Sequence, residues 1–134
     1  MRGATTAAFG INADEAIVVD VSFGNGIGIS ETECGKLGEG AMIGVSPVLD
    51  RALSDKLIDT AEQSGIKYQL EAMGGKTGTN ADVISVSRGG VKTCTVSIPL
   101  RNMHTETETL SLSDLNSVCD LLEKYILSGG LLNA

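Results

Sequence analysis

Glu15-Ala16-Ile17-Val18-Val19-Asp20-Val21 is a continuous, largely β-branched run with one carboxylate set into it. A run of this kind reads as a buried strand, of the sort a helix-covered parallel sheet uses. The flanking sequence repeats the theme. Gly24-Asn25-Gly26-Ile27-Gly28 opens a flexible loop that extends to Gly40, and Ala41 to Val45 reads as a second short strand. Ser46 followed by Pro47 has the form of an N-cap and a first helical position. Leu49, Leu53, Leu57, Ile58 and Ala61 follow at helical spacing, and Ser64-Gly65 marks the stop. Lys67 to Glu71 alternates like a strand. Gly74 to Asn80 is a glycine-rich loop, and Ala81 to Arg88 reads as a helix stopped by Gly89-Gly90. Val91 to Ile98 predicts a strand closed by Pro99, with the polar loop Arg101 to Thr105 after it. Ser113-Asp114 begins a last helix with Leu115, Val118, Leu121, Leu122, Tyr125 and Ile126 on one face. Arg2 to Phe9 is a short amino-terminal helix, and residues 128–134 read as a frayed tail. The alternation predicts one α/β domain over residues 1–127, with layered helices on a mixed, mostly parallel sheet.

Composition narrows the function. The 134 residues are 42% apolar and 20% charged, an ordinary globular balance. Net charge is −7 with only 10 Lys and Arg, so no basic footprint for nucleic acid is expected. The sequence lacks an apolar run of membrane-spanning length, and no membrane partner is expected. Aromatics are 3%, so the core must be aliphatic, and 17 glycines predict frequent tight turns. Cys34, Cys94 and Cys119 have no paired spacing. Cys94 and Cys119 read as small core residues, which points to a reducing, cytoplasmic setting.

Open α/β sheets place their chemistry at loops leaving the carboxyl ends of strands. Three polar segments qualify: the one opening at Asp20, the Gly74–Asn80 loop, and the one holding His104. Asp20 closes an aliphatic strand, where a carboxylate must be hydrogen-bonded, paired or bound to a cation. It is either a capping carboxylate or a metal-binding or catalytic one. His104 is the single histidine, either simply exposed or a metal ligand or acid–base group. Gly75-Lys76-Thr77 has the look of a phosphate loop but fails the pattern, because Leu70 stands where the first glycine is required. A backbone wall for a substrate pocket is the better reading.

The order of short motifs carries more than any one of them. Arg2 to Ala8, Ala16 to Val21, Leu37 to Ala41, Thr77 to Asp82, Ser87 to Thr93 and Ile98 to Glu108 occur in succession. The set resembles the carboxyl-terminal part of the family of glutamyl aminopeptidases, deblocking and tetrahedral aminopeptidases and proteins labelled endoglucanase M. That resemblance implies a di-metal exopeptidase acting on peptides, holding two zinc or cobalt ions and assembling as a homo-oligomer. It assigns Asp20 to one metal and His104 to the other. Thr77, Gly78, Thr79, Asn80 and Arg101 become candidates for shaping the substrate pocket. The family's early His, bridging Asp and Glu-Glu pair, which includes the general base, have no counterpart here. The expectation is therefore a fragment that is inactive alone and binds little metal. The alternative is a non-catalytic α/β folding or oligomerisation module on the same scaffold. A reading frame that continues upstream into a Glu-Glu stretch separates the two. Cellulose hydrolysis fits poorly, since it needs opposed carboxylates and stacking platforms, and the chain has no Trp.

Overall fold

The structure is a computed structural model that describes residues 1–32 and 34–130. Its elements run α1 (Arg2–Ile11), β1 (Glu15–Phe23), β2 (Ala41–Val45), α2 (Arg51–Ser64), β3 (Tyr68–Ala72), α3 (Ala81–Ile84), β4 (Lys92–Arg101), β5 (Thr109–Leu110) and α4 (Leu112–Leu127). The sheet order is β1-β4-β2-β3, with β5 paired to the end of β4. β1 runs parallel to β4 and β2 parallel to β3, while the β2–β4 junction is antiparallel. The expected α/β fold, with helices on a mixed and mostly parallel sheet, is present.

Period-two alternation sorts the sheet into two unlike faces. Ile17 and Val21 of β1, Ala41 and Ile43 of β2, and Cys94, Val96 and Ile98 of β4 face α2 and α4. There they meet Leu53, Leu57, Ala61, Val118, Leu121 and Tyr125 in the main core. Val18, Asp20 and Ser22 of β1 point the other way and share a row with Thr95, Ser97 and Pro99 of β4. Only the first half of that second face is covered by apolar packing, from Val18, Leu49, Ala81, Met73 and Ile84.

Several boundaries differ from the sequence expectation, each for a local reason. β1 continues to Phe23, so Asp20 lies inside the strand instead of closing it. β4 continues through Pro99 to Arg101. Pro99 falls between the last β2 rung at Ser97 and the first β5 rung at Leu100, so its missing N–H removes no ladder bond on that edge. α2 starts at Arg51, not at Ser46. Asp50 is the N-cap, its carboxylate accepting from Leu53 N–H at 2.9 Å, while Ser46 to Leu49 form a turn. Leu49 therefore packs on the opposite face from the α2 stripe. α3 is only four residues long, because turns through Ser87 replace the helix and Arg88 adopts a left-handed φ of 51°.

α4 begins at Leu112, one residue before Ser113, with Ser111 in the N-cap position. Its buried stripe is Asp114, Val118, Leu121 and Tyr125. Cys119 and Ile126 are seven apart, so they share a flank of the helix, and both are exposed. Cys119 is thus not a core residue, whereas Cys94 is. Of the expected frayed tail, Ser128 to Gly130 form an ordered turn in which Ser128 N–H donates to Lys124 O at 3.0 Å. Residues 131–134 lie outside the described residues.

Candidate active-site cleft

The half of the second face left open by the apolar packing forms a cleft of about 520 Å³. Asp20, Ser22, Glu71, Thr77, Gly78, Thr79, His104, Cys34 and several apolar side chains line it. Residues far apart in sequence become neighbours there.

β1 supplies Asp20 and Ser22. The Asp20 carboxylate accepts from the backbone N–H of Val21 at 2.9 Å, its one hydrogen bond among the described residues. β4 ends in a hairpin that supplies His104. Asn102 and His104 both take left-handed backbone conformations, with φ of 56° and 66°. Asparagine and histidine are among the non-glycine residues that tolerate this region best. The hairpin is closed by Thr105 N–H donating to Asn102 O at 3.1 Å and by His104 N–H donating to the Glu108 carboxylate at 2.7 Å. Glu108 thus fixes the backbone of His104, a residue that lines the cleft.

The glycine-rich segment reaches the cleft by an unexpected route. β2 and β3 run opposite to β1 and β4, so the loop leaving β3 departs from the other end of the sheet. Met73 and Ile84 pack beside Val18 and lay the segment across the sheet face. Asp82 clamps it, accepting from Thr77 N–H at 2.8 Å, Thr77 Oγ1 at 2.9 Å and Gly78 N–H at 3.0 Å. Burial alone would raise the Asp82 pKa. The donors from Thr77 and Gly78 and the charge of Lys76 outweigh it and hold the group below its ordinary value.

Asp20, His104, Thr77, Gly78 and Thr79 are therefore brought to one cleft, while the two other candidates are not. Asn80 is exposed and starts α3, its carbonyl accepting from Val83 and Ile84 N–H at 3.2 and 3.1 Å. The Arg101 guanidinium is held by the Asn25 loop, with Nε donating to Asn25 O at 2.6 Å and Nη2 to Asn25 Oδ1 at 3.1 Å. It lines a separate cleft with Ile27, Ile29 and Asn102.

One residue escaped sequence reading. Glu71 of β3 points onto the same face and accepts from Ser22 Oγ and, at 2.9 Å, from Ser97 Oγ. The alternation of Lys67 to Glu71 gave its strand, but not the hydroxyls it meets on β1 and β4.

An oxygen donor from Asp20 and a nitrogen donor from His104 suit zinc or cobalt. Among the described residues no group of three or more His, Cys, Asp and Glu side chains converges as a metal set. The fit is that of an incomplete set.

The sequence pattern of the M42 glutamyl aminopeptidase family matches residues 1–121. The lysyl aminopeptidase of Pyrococcus furiosus is 31% identical over 126 residues, spanning 94% of this chain and 36% of that protein. Among solved structures, the TET aminopeptidase of Thaumarchaeota archaeon SCGC AB-539-E09 superposes with a TM-score of 0.90. It is 30% identical, over 98% of this chain and 38% of that one. The TET1 peptidase of Pyrococcus horikoshii, described as assembling into a tetrahedron or a large octahedral shell, matches with a TM-score of 0.66. It is 29% identical, over 92% of this chain and 36% of that one. The chain thus spans little more than a third of the length of each of these proteins.

Proposed function

The chain belongs to the M42 glutamyl aminopeptidase family, and from that premise we propose that it forms one part of a di-metal aminopeptidase that removes amino-terminal residues from peptides. The observation that carries this reading is the meeting of Asp20 and His104, from distant parts of the sequence, at one cleft. Two divalent metals, when bound, supply a polarised scissile carbonyl and an activated water. Asp20 and His104 would each hold one of them.

The chain's own residues then act in defined ways. The Val21 N–H orients the Asp20 carboxylate. The Asn102–Glu108 hairpin presents the His104 ring, while Thr77 to Thr79, clamped by Asp82, wall one side of the cleft. Phe23, Met42, Met73 and Met103 give the cleft an apolar lining that accommodates a substrate side chain and excludes water. The remaining donors and the general base belong to the part of the relatives that this chain does not span. Homo-oligomeric assembly is part of the proposal, following the shells described for the TET1 relative.

Zinc and cobalt titration by calorimetry, with Asp20→Ala and His104→Ala as controls, tests the half-site. Weak binding that is lost in either variant is expected, together with no release of p-nitroaniline from aminoacyl p-nitroanilides by the chain alone. Binding unchanged in both variants would refute the assignment of the ligands. Metal-dependent hydrolysis by the isolated chain would refute its inactivity. The incomplete donor set also suits a second reading, a non-catalytic module on the same scaffold. Activity that appears when the family's remaining segment is supplied as a separate polypeptide, and vanishes with His104→Ala, excludes that module.

A further inference from the structure

Glu71 lines the same cleft as the proposed metal ligands and is not one of them. Its carboxylate spans the sheet from β3 to β1 and β4 and is gripped by two hydroxyls, Ser22 Oγ and Ser97 Oγ. Ser97 is 1% exposed, so this grip is built into the sheet and not made by mobile surface groups. Two hydroxyl donors leave acceptor capacity on a carboxylate with roughly four lone-pair sites. Neither ion pair among the described residues involves Glu71, and no Lys or Arg lines the cleft. A half-buried carboxylate oriented by neutral donors in a cleft without a cation is a receptor for a small cation from outside.

Ser22 lies two residues beyond Asp20 on the same face, roughly 7 Å along the strand. Ser97, the other hydroxyl on Glu71, is the register partner of Asp20, so a cation on Glu71 would sit next to the Asp20 position. Leu70, Met73 and Phe23 line the cleft nearby and suit a short aliphatic stem. From this juxtaposition we infer that Glu71 is the subsite for a primary ammonium group of the peptide. That ammonium belongs either to the side chain of the amino-terminal residue or to the free α-amine. The inference rests on the aminopeptidase reading only for the owner of the ammonium; the cation-binding role rests on the cleft itself.

The test uses the isolated chain and amide-resolved NMR, so it needs no turnover. The probes are lysine amide, norleucine amide, Nα-acetyl-lysine amide and Nα-acetyl-norleucine amide, titrated at low ionic strength into wild type and Glu71→Gln. Lysine amide is expected to shift the Ser22, Glu71 and Ser97 amides saturably. The isosteric Glu71→Gln change should weaken it at least tenfold in a chain whose remaining spectrum is unaltered. Binding shared with Nα-acetyl-lysine amide assigns the side-chain ammonium, and binding shared with norleucine amide assigns the α-amine; either supports the subsite. Absence of saturable shifts, equal binding by Glu71→Gln, or equal binding by the ammonium-free Nα-acetyl-norleucine amide would overturn it. The last comparison holds even if Glu71→Gln fails to fold. Zinc titration separates the two readings. Loss of ammonium binding with zinc retained leaves Asp20 and His104 standing, and ammonium binding together with zinc binding that Asp20→Ala and His104→Ala leave unchanged sinks the metal assignment alone.

Discussion

Asp114 offers the sharpest test of how the cleft is held in place. It is the third residue of α4 and is 0% exposed. Its Oδ2 accepts from Gly38 N–H at 2.8 Å and its Oδ1 from Gly40 N–H at 2.9 Å. Gly40 has a φ of 93°, and a Cβ there would collide with the carbonyl of Lys67, so the chain has no easy alternative path into β2. Asp114→Ala strands both donors. Gly40 is buried and suffers most of the cost of an unpaired donor, about 1–3 kcal/mol. Gly38 is half-buried, and water recovers part of its loss. Loss of a carboxylate in the first helical turn adds about 0.3–1 kcal/mol. The sum is about 3–4 kcal/mol for Asp114→Ala. Asp114→Asn keeps one acceptor but opposes its NH₂ to the other donor, which costs about 2 kcal/mol. Urea unfolding followed by circular dichroism measures both. An Asp114→Ala loss below about 1 kcal/mol would refute the staple, because it would mean the two N–H groups find other partners.

Other outcomes follow from the same geometry. Thr95 Oγ1 is buried without a hydrogen-bond partner among the described residues, so Thr95→Val should stabilise the chain by about 1 kcal/mol in the same unfolding assay. Gly44→Ala should destabilise it by about 1–3 kcal/mol, since the added Cβ would lie 2.9 Å from Leu49 Cδ1 and press on the Thr95 hydroxyl. The Asp82 pKa is depressed on folding, so its clamp is fully present above the ordinary value of 3.8 and is lost as pH falls through the lower folded value. The Thr77 and Gly78 amide resonances should therefore hold steady from neutral pH down to that range and move together below it, a transition that Asp82→Asn removes. Burial pushes the Cys94 thiol above its usual range, whereas Cys119 is exposed. Iodoacetamide should label Cys119 in the native chain and Cys94 only after unfolding, as read by peptide mass spectrometry.

The fold was legible where apolar spacing is decided locally. β1, β2, α2 and α4 follow from runs and periods in the sequence, and each lies within a few residues of its expected place. The misplacements arise where a distant partner decides. Ser46-Pro47 has the local form of a helix start, yet Asp50 N–H donates to Thr93 O at 2.8 Å and postpones the helix to Arg51. Pro99 reads as a stop, yet it occupies the gap between two ladders on β4. Arg101 lies beside the His104 loop in sequence, but its guanidinium is drawn to Asn25 on another part of the surface. Asp114 looked like an ordinary helix-start acid, and its tie to Gly38 and Gly40 has no local signature.

The two faces of the sheet explain why the site was harder to read than the fold. On the helix side, β4 presents Cys94, Val96 and Ile98, an apolar set that any core would accept. On the other side it presents Thr93, Thr95 and Ser97, all essentially buried. Burying hydroxyls costs stability unless each finds a partner. Thr93 reaches the carbonyl of Val91 at 2.9 Å, Ser97 reaches Glu71, and Thr95 reaches none among the described residues. A core selected for stability alone would place valines at these positions. The polar column instead places buried hydroxyls beside Val18 and Asp20, and the one next to Asp20, on Ser97, donates to Glu71. In the one-dimensional sequence the column reads only as Thr-Cys-Thr-Val-Ser-Ile, an alternating strand with small polar residues on its outer side. Only the pairing of β4 with β1 and the reach of Glu71 from β3 connect this outer side, through Ser97, to the residues that line the cleft.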